Sequence, residues 1–254
     1  MSVALATRSG LSRVEWDLRL QLAAAYRIAD HLGWSELIYT HISARVPGRD
    51  HHFLINPYGL RFDEVTASNL VKIDVEGNPV GPQEHKANKA GFIIHSAIHT
   101  ARPDAGCVWH MHTLAGMAIA GQDEGLLPVH MYSHNFYKRV SYHDFEGPSM
   151  RLDERKRLIA SLGPRNQALI LRNHGLLTIG HTIPEAFIRF WRLSRACEIQ
   201  LAAQSAKLRL PSPEVCEASY AMGEEFLTDQ GGLGELEFNA LARKIDQKDA
   251  SYKN

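Results

Sequence analysis

From residue 37 onward, short apolar runs rich in β-branched residues arrive in groups, and helical stretches separate the groups instead of following every strand. Strict alternation of strand and helix would impose a parallel sheet, whereas grouped strands can pair through hairpins. The runs at 37–46 and 52–55 flank a Pro47-Gly48 turn, and 70–75 forms a third strand after the turn residues Asn56, Pro57 and Gly59. Residues 86–101 read as a helix that stops before Pro103, and 105–112 as a strand running into a small-residue helix at 113–121. A helix at 152–162 precedes a buried-looking strand at 167–173, a turn at His174-Gly175 and a further strand at 176–180. The longest helix spans 183–206 with Pro184 in its first turn. Leu18, Leu22, Ala25 and Ala29 give an opening helix at 15–33, and 213–229 and 235–246 read as two more. The section 126–147, rich in His and Tyr, has no clear period and reads as short strands and loops. The pattern predicts an α/β chain in three α/β/α layers around a central mixed, mainly antiparallel sheet.

Charge excludes two partner classes. Lys plus Arg and Asp plus Glu number 28 each, so no net field draws the chain to nucleic acid or an anionic membrane. No segment approaches the roughly 18 apolar residues of a membrane span. Cys107, Cys197 and Cys216 are odd in number and widely spaced, which points to free thiols in a reducing compartment. The first residues lack the apolar core of a signal peptide, and a cytoplasmic location is expected.

Histidine, at 14 residues, is the outlier. In His110-Met111-His112 the two imidazoles sit at i and i+2 of a strand, hence on one face, where both can converge on one ion. A bare pair of this kind is weak evidence until a third ligand joins it. His174, at the turn after an apolar strand, supplies that candidate, and Gly175 is expected to let the backbone turn tightly beside it. Three neutral imidazoles with one open position form a catalytic metal arrangement. Asp104 and His99, just upstream, are expected to orient the ligands. His95 and His99 lie four apart on one helix face. The adjacent pair His51-His52 points to opposite strand faces, and the arginines of 189–198 read as a solvated helix face.

The run RPDAGCVWHMHTLAGMAIA resembles the segment of the class II aldolase/adducin family in which Arg-Pro-Asp precedes a strand ending His-x-His. LILRNHGLLTIGHTIPEAFIRFWRLSRACEIQL resembles that family's His-Gly-Leu strand pair and long helix, and THISARV and LINPYGLRFDEVTASNLVKID match in order and spacing. The resemblance covers about residues 15–205, with a helical tail at 207–254, and implies one α/β/α domain over 1–254. It also implies a divalent ion, zinc ahead of manganese, iron or cobalt, held by His110, His112 and His174. A homo-oligomer, by preference a homotetramer, with the metal near a subunit interface is implied as well.

Departures from the family pattern narrow the activity. The glutamate that serves sugar-phosphate aldolases as acid/base aligns with Gly91, and phosphate-binding positions align with Thr40-His41, Tyr58-Gly59 and Lys89-Ala90. A phosphorylated sugar and the ordinary aldolase mechanism are therefore not expected. The cytoskeletal adducins of the family lack the metal ligands and act as binding proteins, whereas this chain keeps all three histidines. The reading that follows is a metal-dependent lyase, cleaving an aldol or releasing carbon dioxide from a small unphosphorylated oxo or hydroxy acid. The alternative is a non-catalytic adducin-like binding or assembly protein with a structural metal. His41 and His95 are the candidate proton carriers, and Tyr58, Lys89, Tyr132 and His134 the candidate substrate contacts.

Overall fold

The computed structural model describes residues 10–48, 51–147, 152–228 and 232–254. Helix α1 (Arg13–His31) begins at Ser12, whose hydroxyl accepts the Glu15 N–H, a serine N-cap of the ordinary kind. Strands β1 (His41–Arg45), β2 (Phe53–Ile55) and β3 (Val71–Ile73) follow, then helix α2 (Lys89–Ala101) and strand β4 (Cys107–Met111). Short helices α3 (Leu114–Ala120) and α4 (Met131–His134) precede strand β5 (Val140–His143) and helix α5 (Glu154–Leu162). Strands β6 (Ala168–Leu171) and β7 (Gly175–Gly180) lead into α6 (Ile183–Ala203), and α7 (Pro213–Thr228) and α8 (Glu235–Lys248) complete the order. The aperiodic section 126–147 thus contains one short helix and one strand.

The seven strands form one sheet in the order β3-β2-β1-β4-β7-β6-β5. Every pairing is antiparallel except β5 with β6. Helices cover both faces. On one side α1 and α6 pack over Ile42, Ala44, Trp109, Met111 and Leu176, and on the other α2 and α5 pack over Val108, Leu169, Leu177 and Ile179. The two-residue strand period produces this sorting: Cys107, Trp109 and Met111 turn toward α6, while Val108 and His110 turn toward α2. Trp109, fully buried among Trp34, Phe187 and Phe190, anchors the α6 side.

The Arg-Pro-Asp segment fastens the end of α2 to the connection between α5 and β6. Arg102 binds Asp104 through two nitrogens and donates to the carbonyls of Gly163 and Asn166, 2.8 Å away in each case. Asp104 is thereby committed to Arg102, which holds its carboxyl below the usual range, and it does not orient a metal ligand as expected from sequence. Two of the three arginines of α6 depart from expectation. Arg189 pairs with Glu185 and donates to the Ile179 carbonyl, and Arg192 is partly buried, whereas Arg195 is exposed and pairs with Glu198 on the surface.

Candidate metal centre

Antiparallel pairing sets His41 of β1 directly opposite His110 of β4, and Leu177 of β7 opposite His110 on the other side. His112 follows at the strand end, and His174 enters from the β6–β7 turn, where the Leu171 carbonyl receives its N–H. One ligand atom from each of His110, His112 and His174 lies within 4.8 Å of the others. The tight turn expected at Gly175 belongs instead to Asn173, whose φ is 55°. Gly175 serves close approach: a Cβ there would fall 2.8 Å from the Met111 carbonyl and 2.9 Å from the His112 ring.

The hydrogen bonds of the rings decide what the centre can hold. His110 Nδ1 faces the Leu176 carbonyl at 2.9 Å and His112 Nδ1 faces the Glu36 carboxylate at 2.6 Å. Both partners accept, so both Nδ1 atoms donate, and in the neutral form that metal ligation requires each ring presents a bare lone pair on Nε2. These two Nε2 atoms stand 3.1 Å apart. Facing lone pairs repel; a cation between them removes the conflict. Two imidazoles bound tetrahedrally to zinc at about 2.0–2.1 Å place their nitrogens roughly 3.3 Å apart, so the spacing fits. The residues present therefore suit a divalent ion. Burial, followed by the neighbouring imidazoles, pushes His110 well below the ordinary histidine range and His174 down to about 4, which keeps these rings neutral as ligation requires.

Glu36 had no signal in sequence, because it lies in an irregular stretch between α1 and β1. That stretch carries two non-glycine residues in left-handed conformation, Leu37 (φ 52°) and Thr40 (φ 65°). A β-branched residue there is a real outlier, costing on the order of 1–3 kcal/mol. The local bridge between Glu36 and Tyr39 holds the turn that delivers the carboxylate to His112.

Beside the triad, β1 and α2 contribute a buried histidine wall. Ser43 Oγ lies 2.6 Å from His95 Nδ1 and 2.7 Å from His99 Nε2, joining two residues one helical turn apart. His99 Nδ1 donates to the Ala105 carbonyl at 2.8 Å, so His99 is a structural tie and not a support of the ligands. His41 stacks over His110 with ring centres 6.3 Å apart and meets His95 edge-on at 5.6 Å. Burial lowers His95 well below the ordinary range and brings His41 and His99 down to about 3.

Of the remaining sequence candidates, Tyr58, Tyr132 and His134 make their contacts away from the triad. Tyr58 is exposed at a turn, its N–H donated to the Lys86 carbonyl. Lys89 opens α2, and its side chain lies outside the described residues. Tyr132 packs against His130 and Trp191. His134 is buried, with Nδ1 3.1 Å from Ser219 Oγ of α7.

A chain that sets three imidazoles around the end of an antiparallel β4–β7 pair, in a sheet with helices on both faces, carries the architecture of the class II aldolases. Residues 20–201 match the family described as Class II Aldolase and Adducin N-terminal domain, and the chain belongs to this family. It is 42% identical to a putative aldolase class 2 protein of Caulobacter vibrioides over 98% of this chain and 96% of that one. It is also 41% identical to alpha-adducin of Rattus norvegicus over 90% of this chain but only 33% of the relative. The crystal structure of an aldolase II superfamily protein from Pseudomonas syringae superposes with a TM-score of 0.88 at 46% identity, covering 96% and 98% of the two chains. An L-fuculose 1-phosphate aldolase from Glaciozyma antarctica gives 0.82 at 28% identity, covering 98% and 97%.

Proposed function

We infer that this chain is a metal-dependent carbon–carbon lyase for a small, unphosphorylated oxo or hydroxy acid, with His110, His112 and His174 as the ligands. The observation that carries the reading is the pair of facing Nε2 lone pairs, fixed by Leu176 and Glu36, which calls for a cation. A divalent ion there supplies Lewis-acid polarisation of a substrate oxygen, zinc being favoured by an all-imidazole donor set. Position 91 has no side chain to remove a hydroxyl proton, which weighs against aldol cleavage and favours loss of carbon dioxide. In that reaction the bond to the carboxylate breaks, its electron pair stays on the adjacent carbon, and a proton must replace the departing group. His41 and His95 line the wall from which such a proton would come. Both are buried and neutral, so they serve as N–H donors that orient and pass protons instead of as standing cations. Tyr58, Tyr132 and His134 would reach substrate only from a neighbouring copy or after movement of their segments. A homotetramer of 1–254 with the 207–254 tail against a neighbour fits that requirement.

The test is elemental analysis of the chain purified without added metal, beside a His110→Ala/His112→Ala variant, followed by a panel of oxo acids on the loaded protein. About one ion per chain, lost in the variant, and product release from at least one acid are expected. A loaded protein inert to the whole panel would remove the lyase reading. The second reading, an adducin-like binding protein with structural metal, is favoured by the 41% identity to alpha-adducin over the same region. A fourth protein ligand closing the centre would decide for it.

A further inference from the structure

Three ring nitrogens on the wall of the metal centre have no hydrogen-bond partner: Nδ1 and Nε2 of His41, and Nε2 of His95. Their side chains are 6% and 2% exposed, so water does not serve them freely. A histidine buried for packing alone ordinarily has its nitrogens bonded, as His99 does on both sides. His41 is the exception, with both nitrogens orphaned.

The position of its ring is equally specific. A Cβ built on Gly91 would fall 2.6 Å from His41 Cγ and Cδ2 and 2.7 Å from Nδ1. The imidazole of β1 therefore occupies the space that any side chain at position 91 of α2 would claim, and glycine is what admits it. Strand pairing across from His110 holds the ring at the triad. The left-handed residue Thr40 immediately precedes His41, the first residue of β1.

Resting on the metal reading above, we propose that His41 is a substrate-contacting residue: admitted by Gly91, its imidazole donates an N–H to a carboxylate oxygen of the acid that chelates the triad-held ion. Among the described residues, the carboxylate bonded to the triad is that of Glu36, already engaged by His112, and the His41 wall carries no negative charge to repel such an acid. With neither nitrogen bonded within the chain, the ring has a nitrogen free to donate.

Oxalate is the probe, with its affinity measured by calorimetry on the full zinc-loaded chain after metal content has been measured without oxalate. His41→Ala is expected to keep about one ion per chain and to weaken oxalate about 10–100-fold, the scale of one hydrogen bond to a charged group. Gly91→Ala, which displaces the ring, is expected to weaken oxalate similarly, and the double variant to be no worse than either single one. His41→Gln, which retains an N–H donor, should recover part of the affinity. Unchanged oxalate binding in His41→Ala or Gly91→Ala overturns the assignment. So does loss of the ion in His41→Ala to the extent seen in His110→Ala, which would make His41 a ligand. A wild-type chain that takes up no metal would sink the metal reading itself, before oxalate is added. A loaded chain whose oxalate affinity is indifferent to His41 sinks only the substrate contact and leaves the metal centre standing.

Discussion

At the scale of single residues, the centre depends on who holds the histidines as much as on the histidines themselves. Glu36 fixes the tautomer and orientation of His112, and removing such a partner typically costs about 10–100-fold in metal affinity. Glu36→Ala should show that loss in a chelator competition, with Glu36→Gln falling between because its amide oxygen still accepts the N–H. Gly175→Ala tests close approach. A methyl 2.8 Å from the Met111 carbonyl must separate β7 from β4, and a cost of about 1–3 kcal/mol in urea unfolding is expected. His110 and His112 were legible from strand alternation and His174 from its turn after an apolar strand, with the resemblance pointing to all three. Glu36 and the orphaned nitrogens of His41 were not. The former arrives through two left-handed residues that no periodicity announces, and the latter reflect an exchange of space with Gly91 that exists only across β1 and α2.

Among the elements, boundaries followed from local chemistry where that chemistry was strong. Thr182 caps α6 by accepting the Glu185 N–H, with Pro184 in the first turn, and Thr182→Ala should lower stability by about 1 kcal/mol without changing metal content. The α2 end is a different matter. Arg102→Met should cost about 2 kcal/mol or more, because the Gly163 and Asn166 carbonyls and Asp104 lose a charged donor together. Urea unfolding checks the cost, and unchanged metal stoichiometry would separate this staple from the ligand support that sequence assigned to Asp104. The stretch 126–147 resisted reading because its helix is four residues and its strand four, each too short to display a period. The arginines of α6 misled for another reason. Their three-residue spacing suits a wet face, as it does for the exposed Arg195, but α4 and α8 pack against the helix and leave Arg189 and Arg192 partly buried, which sequence periodicity does not record.

For the whole molecule, buried neutral histidines tie stability to pH. His99, lowered to about 3 by burial with Arg45 adding to the shift, binds its proton far more readily once the chain unfolds, near the ordinary value of about 6.5. His95 is lowered in the same direction. The unfolded chain thus takes up more protons between these values, so this stability is complete above about pH 6.5 and is lost as pH falls toward 3. A melting temperature that declines steadily from pH 7 to pH 4 in the metal-free chain is the expected result; a flat profile would contradict the buried wall.

The centre joins stations far apart along the chain: His110 meets Leu176 across 66 residues and His112 meets Glu36 across 76. Loops of that length must close before an ion finds its ligands, and closure entropy precedes any reward from binding. An ion taken up by the triad would therefore arrive at a sheet already zipped together, and would not serve as its seed. Refolding rates should be indifferent to added zinc, whereas escape from the native state should slow in its presence. In kinetic terms such a metal would be a latch on a finished door.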